Sequence, residues 1–162
     1  MTTPPKVAFV QLEAGFRSKS TARCIPGVVG ALDGLLVRIE CPSNVPDSLR
    51  YWNRKGFYAL NVQAIADSDR RILHLSIRDP GSTHDSVAWE RDPLFEKLEA
   101  GGLPDDLHIT ADAAYSSSSQ ASYLLTPYVN VGGHGISAQQ DAFNFYQSQQ
   151  RINVEVPILI AL

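Results

Sequence analysis

No apolar run in this sequence approaches the roughly 20 residues that a membrane-spanning helix needs. The opening stretch MTTPPKVAFVQ has no basic segment leading into a long apolar one, so it does not read as a secretion signal. Cysteine is scarce: Cys24 and Cys41 are too far apart for a CxxC pair and lack a histidine at zinc-like spacing. They read as free thiols in a reducing compartment. An excess of basic residues is missing too. The 14 Lys and Arg against 17 Asp and Glu leave a formal net charge of −3, whereas a dedicated nucleic-acid binder is normally basic. There is no internal repeat.

What is present is globular. The 162 residues suffice for one domain with a real core and are too few for two ordinary ones. With 44% hydrophobic and 19% charged residues, the composition is that of a soluble folded protein rather than a disordered or fibrous one. Basic residues cluster locally at Arg50, Arg54 and Lys55, and again at Arg70, Arg71 and Arg78. Charge alone favours a solvated strand edge for such clusters.

Residues 6–18 carry apolar side chains at helical spacing and predict a leading helix. Strands are expected over 28–40, 57–66 and 71–78, with Gly34 marking a bulge or bend in the first. Ser82 or Thr83 is placed to cap a helix through SVAWERDPLFEKLEAG, closed by Gly101 and Gly102. A fourth strand is expected over 107–112, ahead of the serine run Ser116–Ser119. Residues 137–155 read as a polar helix with few apolar anchors, mainly Phe143, Phe145, Tyr146 and Ile152, and Pro157 disfavours helix at Val156. Three strands, a helix, a strand and a late helix fit an α/β layer architecture.

Two-metal phosphodiester chemistry needs carboxylates that converge from different parts of a fold, because Mg²⁺ prefers hard oxygen ligands. Asp33 and Asp112 each interrupt an apolar β-like run, where an ionised carboxylate is costly without a cation or hydrogen bonds. Glu155 stands in the late helix. Bland readings stay open beside this one. An Asp next to Gly is usually turn chemistry, and an Asp at a strand end is often a cap.

IPGVVGALDGLLVRIECP, YWNRKGFYALNVQAIADSDRRILHLSIRDPGSTHDSVAW, ITADAAY, YLLTP and FNFYQSQQRINVE follow one another in that order. From about Ile25 to Glu155 the chain resembles the catalytic domain of the Harbinger (PIF-like) DDE transposases and their domesticated relatives. The resemblance implies an RNase H-like mixed sheet, three antiparallel strands plus a parallel one, flanked by helices. It implies a DDE triad of Asp33, Asp112 and Glu155, acting as catalytic and metal-binding residues on Mg²⁺ or Mn²⁺ to cut DNA. Asp85, in the His-Asp-Ser motif, is implied as an alternative metal ligand or a support behind the ligands. The same resemblance implies a nuclear location and a Myb-like accessory protein. It divides the chain into an N-terminal helix and linker (1–24), a DDE endonuclease domain (25–155) and an aberrant or truncated tail (156–162).

Asn53, Arg54 and Lys55 read either as DNA phosphate contacts or as a structural turn into the second strand. His84 positions a phosphate or caps the helix, with the cap favoured. His74 and His108 read as satisfied core histidines, Trp52 and Trp89 as core, and His134 has no assignable role. Three departures from the family pattern bear on activity. Leu35 and Leu36 replace polar residues beside the first acid, ADAAY lacks the usual glycine after the second, and the usual basic continuation after Glu155 is missing. The alternative to an active endonuclease is therefore a catalytically impaired, transposase-derived module retained for DNA or protein binding. A product with an incomplete fold stands behind both.

Overall fold

The structure, a computed structural model, describes residues 6–21, 25–118, 122–130, 132, 133 and 135–158, the side chains of 6, 7 and 152–158 excepted. After helix α1 (Lys6–Lys19) come strands β1 (Val28–Arg38), β2 (Ala59–Ala66) and β3 (Ile72–Pro80). Helices α2 (Asp85–Glu90) and α3 (Pro93–Glu99), strand β4 (His108–Thr110), strand β5 (Leu124–Leu125) and helix α4 (Ala138–Ile158) follow. The sheet order is β3-β2-β1-β4-β5. The first three strands run antiparallel to their neighbours, while β4 and β5 join parallel on the other side of β1. The expected mixed sheet is present, with β5 as a second parallel strand that the sequence did not announce.

Strand alternation assigns the two faces. Leu32, Ile65, Ile109 and Ala111 pack with Trp89 of α2 and Leu98 of α3. Ala31, Ala64 and Ala66 pack with Phe16 of α1, and Phe143 and Tyr146 of α4 lie against them. Central strands covered on both faces read as nearly continuous apolar runs, as VVGAL of β1 does. Helix α4 is fastened largely by amides. The buried Gln147 donates to Thr110 Oγ1 at 2.8 Å and to the Ala111 carbonyl at 2.7 Å, and Gln150 donates to the Ile25 carbonyl at 3.1 Å.

Several expectations need correcting. The helix after Thr83 is two helices, because a residue before proline is pushed out of the helical region. Asp92 sits at ψ 132°, caps α3 by accepting from Leu94 N at 2.8 Å, and leaves Pro93 at the first helical position. Neither Ser82 nor Thr83 caps α2; His84 holds the N-cap position and makes no side-chain cap bond. Gly34 marks no bulge, since it keeps register opposite Gln63. Trp52 is not core: it is 47% exposed and stacks edge-on against Tyr58, while Trp89 is fully buried as expected. Phe145 is exposed and anchors nothing, and Ile152 lies outside the described side chains. Helix α4 continues through Pro157 to Ile158. Pro157 stands in the last turn, so the donor it lacks and the crowding of its ring affect the end of the helix alone. Cys41 is a free, exposed thiol. Cys24, Ser119 and His134 lie outside the described residues.

Candidate active site

Strands β1 and β4 fix the first two acids. Ala31 is partnered with Thr110 in the parallel register. Two residues further on stand Asp33, within β1 and so on the same face as Ala31, and Asp112, just past the end of β4; both line one cavity. That face is the α4 side, where Thr110 meets Gln147. Here β4 ends, and the space beyond the carboxyl ends of strands in an open α/β sheet is where such folds take their ligands.

Asp33 accepts from the next amide, Gly34 N, at 2.9 Å, in a regular strand rather than the turn that an Asp-Gly pair suggests. Asp112 takes the cap role among the readings given to it. Its Oδ1 accepts from Ala114 N at 2.8 Å and so caps the 3-10 turn Ala113–Ser118, while its side chain also lines the cavity. The glycine missing from ADAAY is not required by the backbone. Arg70 is the one non-glycine residue with positive φ among those described.

Asp85 reaches the site from the opposite face. It opens α2, and its Oδ1 accepts from Asn61 Nδ2 at 2.8 Å. The carboxylate occupies the space that a side chain at position 34 would fill: a Cβ on Gly34 would lie 2.5 Å from Asp85 Oδ1 and 3.0 Å from the Tyr115 hydroxyl. Tyr115 is fully buried. Burial, and then the charges of Asp85, Asp33 and Asp112, push its hydroxyl well above the usual tyrosine range. One hydroxyl thus senses all three carboxylates.

A cavity of about 580 Å³ opens over these acids. Arg54, Lys55 and Arg151 line it with Asp33, Asp85 and Asp112, and Leu35 and Leu36 form an apolar part of the wall. The trio read as phosphate contacts therefore divides. Arg54 and Lys55 face the cavity, whereas Asn53 is buried and builds the turn, its Oδ1 accepting from Lys55 N at 2.7 Å. Glu155 lies in α4 one helical turn beyond Arg151, and its side chain is outside the described set. Two histidines take structural partners, His84 Nδ1 with Ser86 Oγ at 2.9 Å and the half-buried His74 through Nε2 with Asp92 Oδ2 at 2.8 Å, whereas His108, expected to be satisfied, buries Nδ1 without a hydrogen-bond partner among the described residues.

Among the described residues no three carboxylate or imidazole groups form a ready-made metal cage. The donor set nevertheless suits a hard divalent ion, since Mg²⁺ typically keeps several waters and takes one or two carboxylates. Asp33 and Asp112 supply two from adjacent strands. The residues that sequence reasoning missed are Asn61, Gln63 and Tyr115. A signal existed: two amides alternating within the otherwise apolar ALNVQAIA lie on one buried face, and buried amides need partners.

A five-stranded mixed sheet with helices on both faces and acids at the end of its parallel pair is an RNase H-like α/β domain. Residues 32–159 match a family described as DDE superfamily endonuclease, and the chain belongs to that family. It is 34% identical over 103 residues to the mouse (Mus musculus) protein named "Putative nuclease HARBI1" and 31% identical over 103 residues to the human (Homo sapiens) protein of that name. Each match covers 64% of this chain, and the chain spans 28% of the length of those relatives. No solved structure matches the chain.

Proposed function

We propose that the chain is the catalytic core of a metal-dependent DDE endonuclease that hydrolyses DNA phosphodiester bonds. The observation that carries this reading is that Asp33 on β1 and Asp112 just past the end of the neighbouring parallel strand β4 face one cavity. They would hold Mg²⁺ or Mn²⁺, with Asp85 and Glu155 as further carboxylates. The ions, when bound, supply activation of the attacking water and neutralisation of the leaving oxygen. Arg54 and Lys55 bind the phosphate backbone and fix its position without reading sequence. Arg151 offsets the negative charge that acids and phosphate bring together in the cavity. A nuclear location and a Myb-like accessory protein belong to the same reading.

A second reading has one observation in its favour. Leu35 and Leu36 line the cavity beside Asp33, a wall suited to excluding water more than to ordering it. On that reading the chain is a catalytically impaired module retained for DNA or protein binding.

Nicking of a supercoiled plasmid in Mn²⁺ tests both. Nicking by the wild type that disappears in Asp33→Asn and in Asp112→Asn supports the endonuclease. Nicking that survives both substitutions sinks it. DNA binding by a folded chain that neither binds Mn²⁺ nor nicks moves the assignment to the second reading.

A further inference from the structure

We infer that Asn61, backed by Gln63 and Tyr115, is a positioning residue that aims the Asp85 carboxylate through the gap at Gly34 into the acid cavity. The inference deepens the endonuclease reading and rests on it for its functional part. Its basis is a directed chain of hydrogen bonds. The Tyr115 hydroxyl donates to Gln63 Oε1 at 2.7 Å, Gln63 Nε2 donates to Asn61 Oδ1 at 2.7 Å, and Asn61 Nδ2 donates to Asp85 Oδ1 at 2.8 Å. Every step donates towards the carboxylate, so each bond polarises the next and the chain ends on a negative charge. The second hydrogen of Asn61 Nδ2 goes to the Thr83 carbonyl at 2.9 Å, which ties the turn before α2 to β2.

Three features separate this chain from incidental packing. First, Asn61, Gln63 and Tyr115 are all buried to within 2% exposure. Buried polar groups that lose a partner are destabilising, while apolar residues of similar shape carry no such risk. A strand needing only a core would be served by the apolar set. Second, the chain joins two acid-bearing segments. Asp85 starts α2, and Tyr115 belongs to the 3-10 turn that Asp112 caps. Third, the two ends meet again over Gly34, where Asp85 Oδ1 and the Tyr115 hydroxyl both crowd the place of a missing Cβ. The two ends of the chain of bonds therefore come together beside one glycine, whose missing Cβ leaves room for the carboxylate.

The test compares the wild-type chain with Tyr115→Phe and Asn61→Leu by ¹³C NMR of aspartate-labelled protein, alongside calorimetric Mn²⁺ titration and thermal melting. Asp85→Asn assigns the Asp85 carboxyl resonance. The expected result is a displaced Asp85 resonance in both variants, larger for Asn61→Leu, with Mn²⁺ affinity reduced three- to tenfold. Tyr115→Phe removes a single oxygen and answers the question if Asn61→Leu does not fold. An undisplaced Asp85 resonance in the folded variants overturns the inference. So does a displaced resonance with unchanged Mn²⁺ affinity in a chain whose wild type binds Mn²⁺, because aiming Asp85 would then serve no metal. Displacement in a protein that binds no Mn²⁺ even as wild type upholds the positioning of Asp85 and removes the endonuclease reading.

Discussion

Asp33, within β1, and Asp112, just past the end of β4, each sit two residues beyond the paired Ala31 and Thr110 and line one cavity. Like charges so placed disfavour each other unless a cation lies between them. Either Asp33→Asn or Asp112→Asn should abolish the calorimetric Mn²⁺ signal. The two sites should differ in stability. Asparagine keeps the Asp112 cap on Ala114 N, whereas Asp112→Ala should lose about 1 kcal/mol, a typical cap contribution. Equal melting of Asp112→Asn and Asp112→Ala would show that the cap contributes nothing.

Gly34→Ala should damage the site more than the fold. No positive φ makes glycine necessary there; the approach of Asp85 and Tyr115 does. Adding a methyl to a well-packed place costs roughly 1–3 kcal/mol, and here relief comes by pushing Asp85 away from Asn61. Mn²⁺ affinity is expected to fall at least threefold while the chain still melts cooperatively. Wild-type affinity in Gly34→Ala would mean that Asp85 can move without consequence.

The sheet was legible in the sequence because its strands carry apolar runs bounded by turn residues, and β1, β2, β3 and β4 stand close to where alternation put them. The first two candidate acids stood out for a related reason, as charges interrupting such runs. What was not legible depends on neighbours distant in sequence. Asn61 and Gln63 drew no assignment from the sequence, because the donor that gives them a role, Tyr115, stands 52 residues past Gln63. Trp52 read as core because aromatic residues usually are, yet its partner Tyr58 is close in sequence and both stand on a surface loop. The two-residue β5 is too short to show any period. The break at Asp92-Pro93 was readable from local chemistry and was overridden by the apolar spacing on either side.

Asp92 gives the fold an acid-sensitive joint. It is buried, caps α3 and accepts from His74 on the edge strand. Burial alone would raise its carboxyl, but the bonds from His74 and Leu94 N outweigh that and hold it below the usual aspartate range. A carboxyl depressed in the folded state contributes its full stability above the unfolded value and loses it as pH falls through the folded value. The loss should therefore begin near the ordinary aspartate pKa, roughly 3.9, and deepen below it. Asp92→Asn keeps the cap and should flatten that part of the acid melting curve. An unchanged acid slope in Asp92→Asn would assign the sensitivity elsewhere.

Gln147 fastens to the sheet the helix that carries Arg151 and Glu155. With Phe145 exposed, the helix has few apolar anchors, and helical segments in proteins draw most of their stability from packing. Gln147 compensates by donating to Thr110 Oγ1 and the Ala111 carbonyl, immediately before Asp112. Gln147→Leu fills the space but leaves those acceptors without their donor. The expected loss is about 2 kcal/mol, within the usual penalty for stranding buried polar groups. Arg151 follows one turn later and Glu155 two turns later, so a loosened α4 should misplace both while Asp33 and Asp112 stay fixed by the sheet. Reacting groups held even slightly out of place lose rate steeply. In Gln147→Leu, plasmid nicking should fall at least tenfold while Mn²⁺ affinity falls less. Pro157→Ala should change nicking little, because α4 already continues to Ile158. Wild-type nicking by Gln147→Leu would show that α4 is held by something other than this amide. A large gain from Pro157→Ala would show that the proline, rather than the anchoring of the helix, limits Glu155.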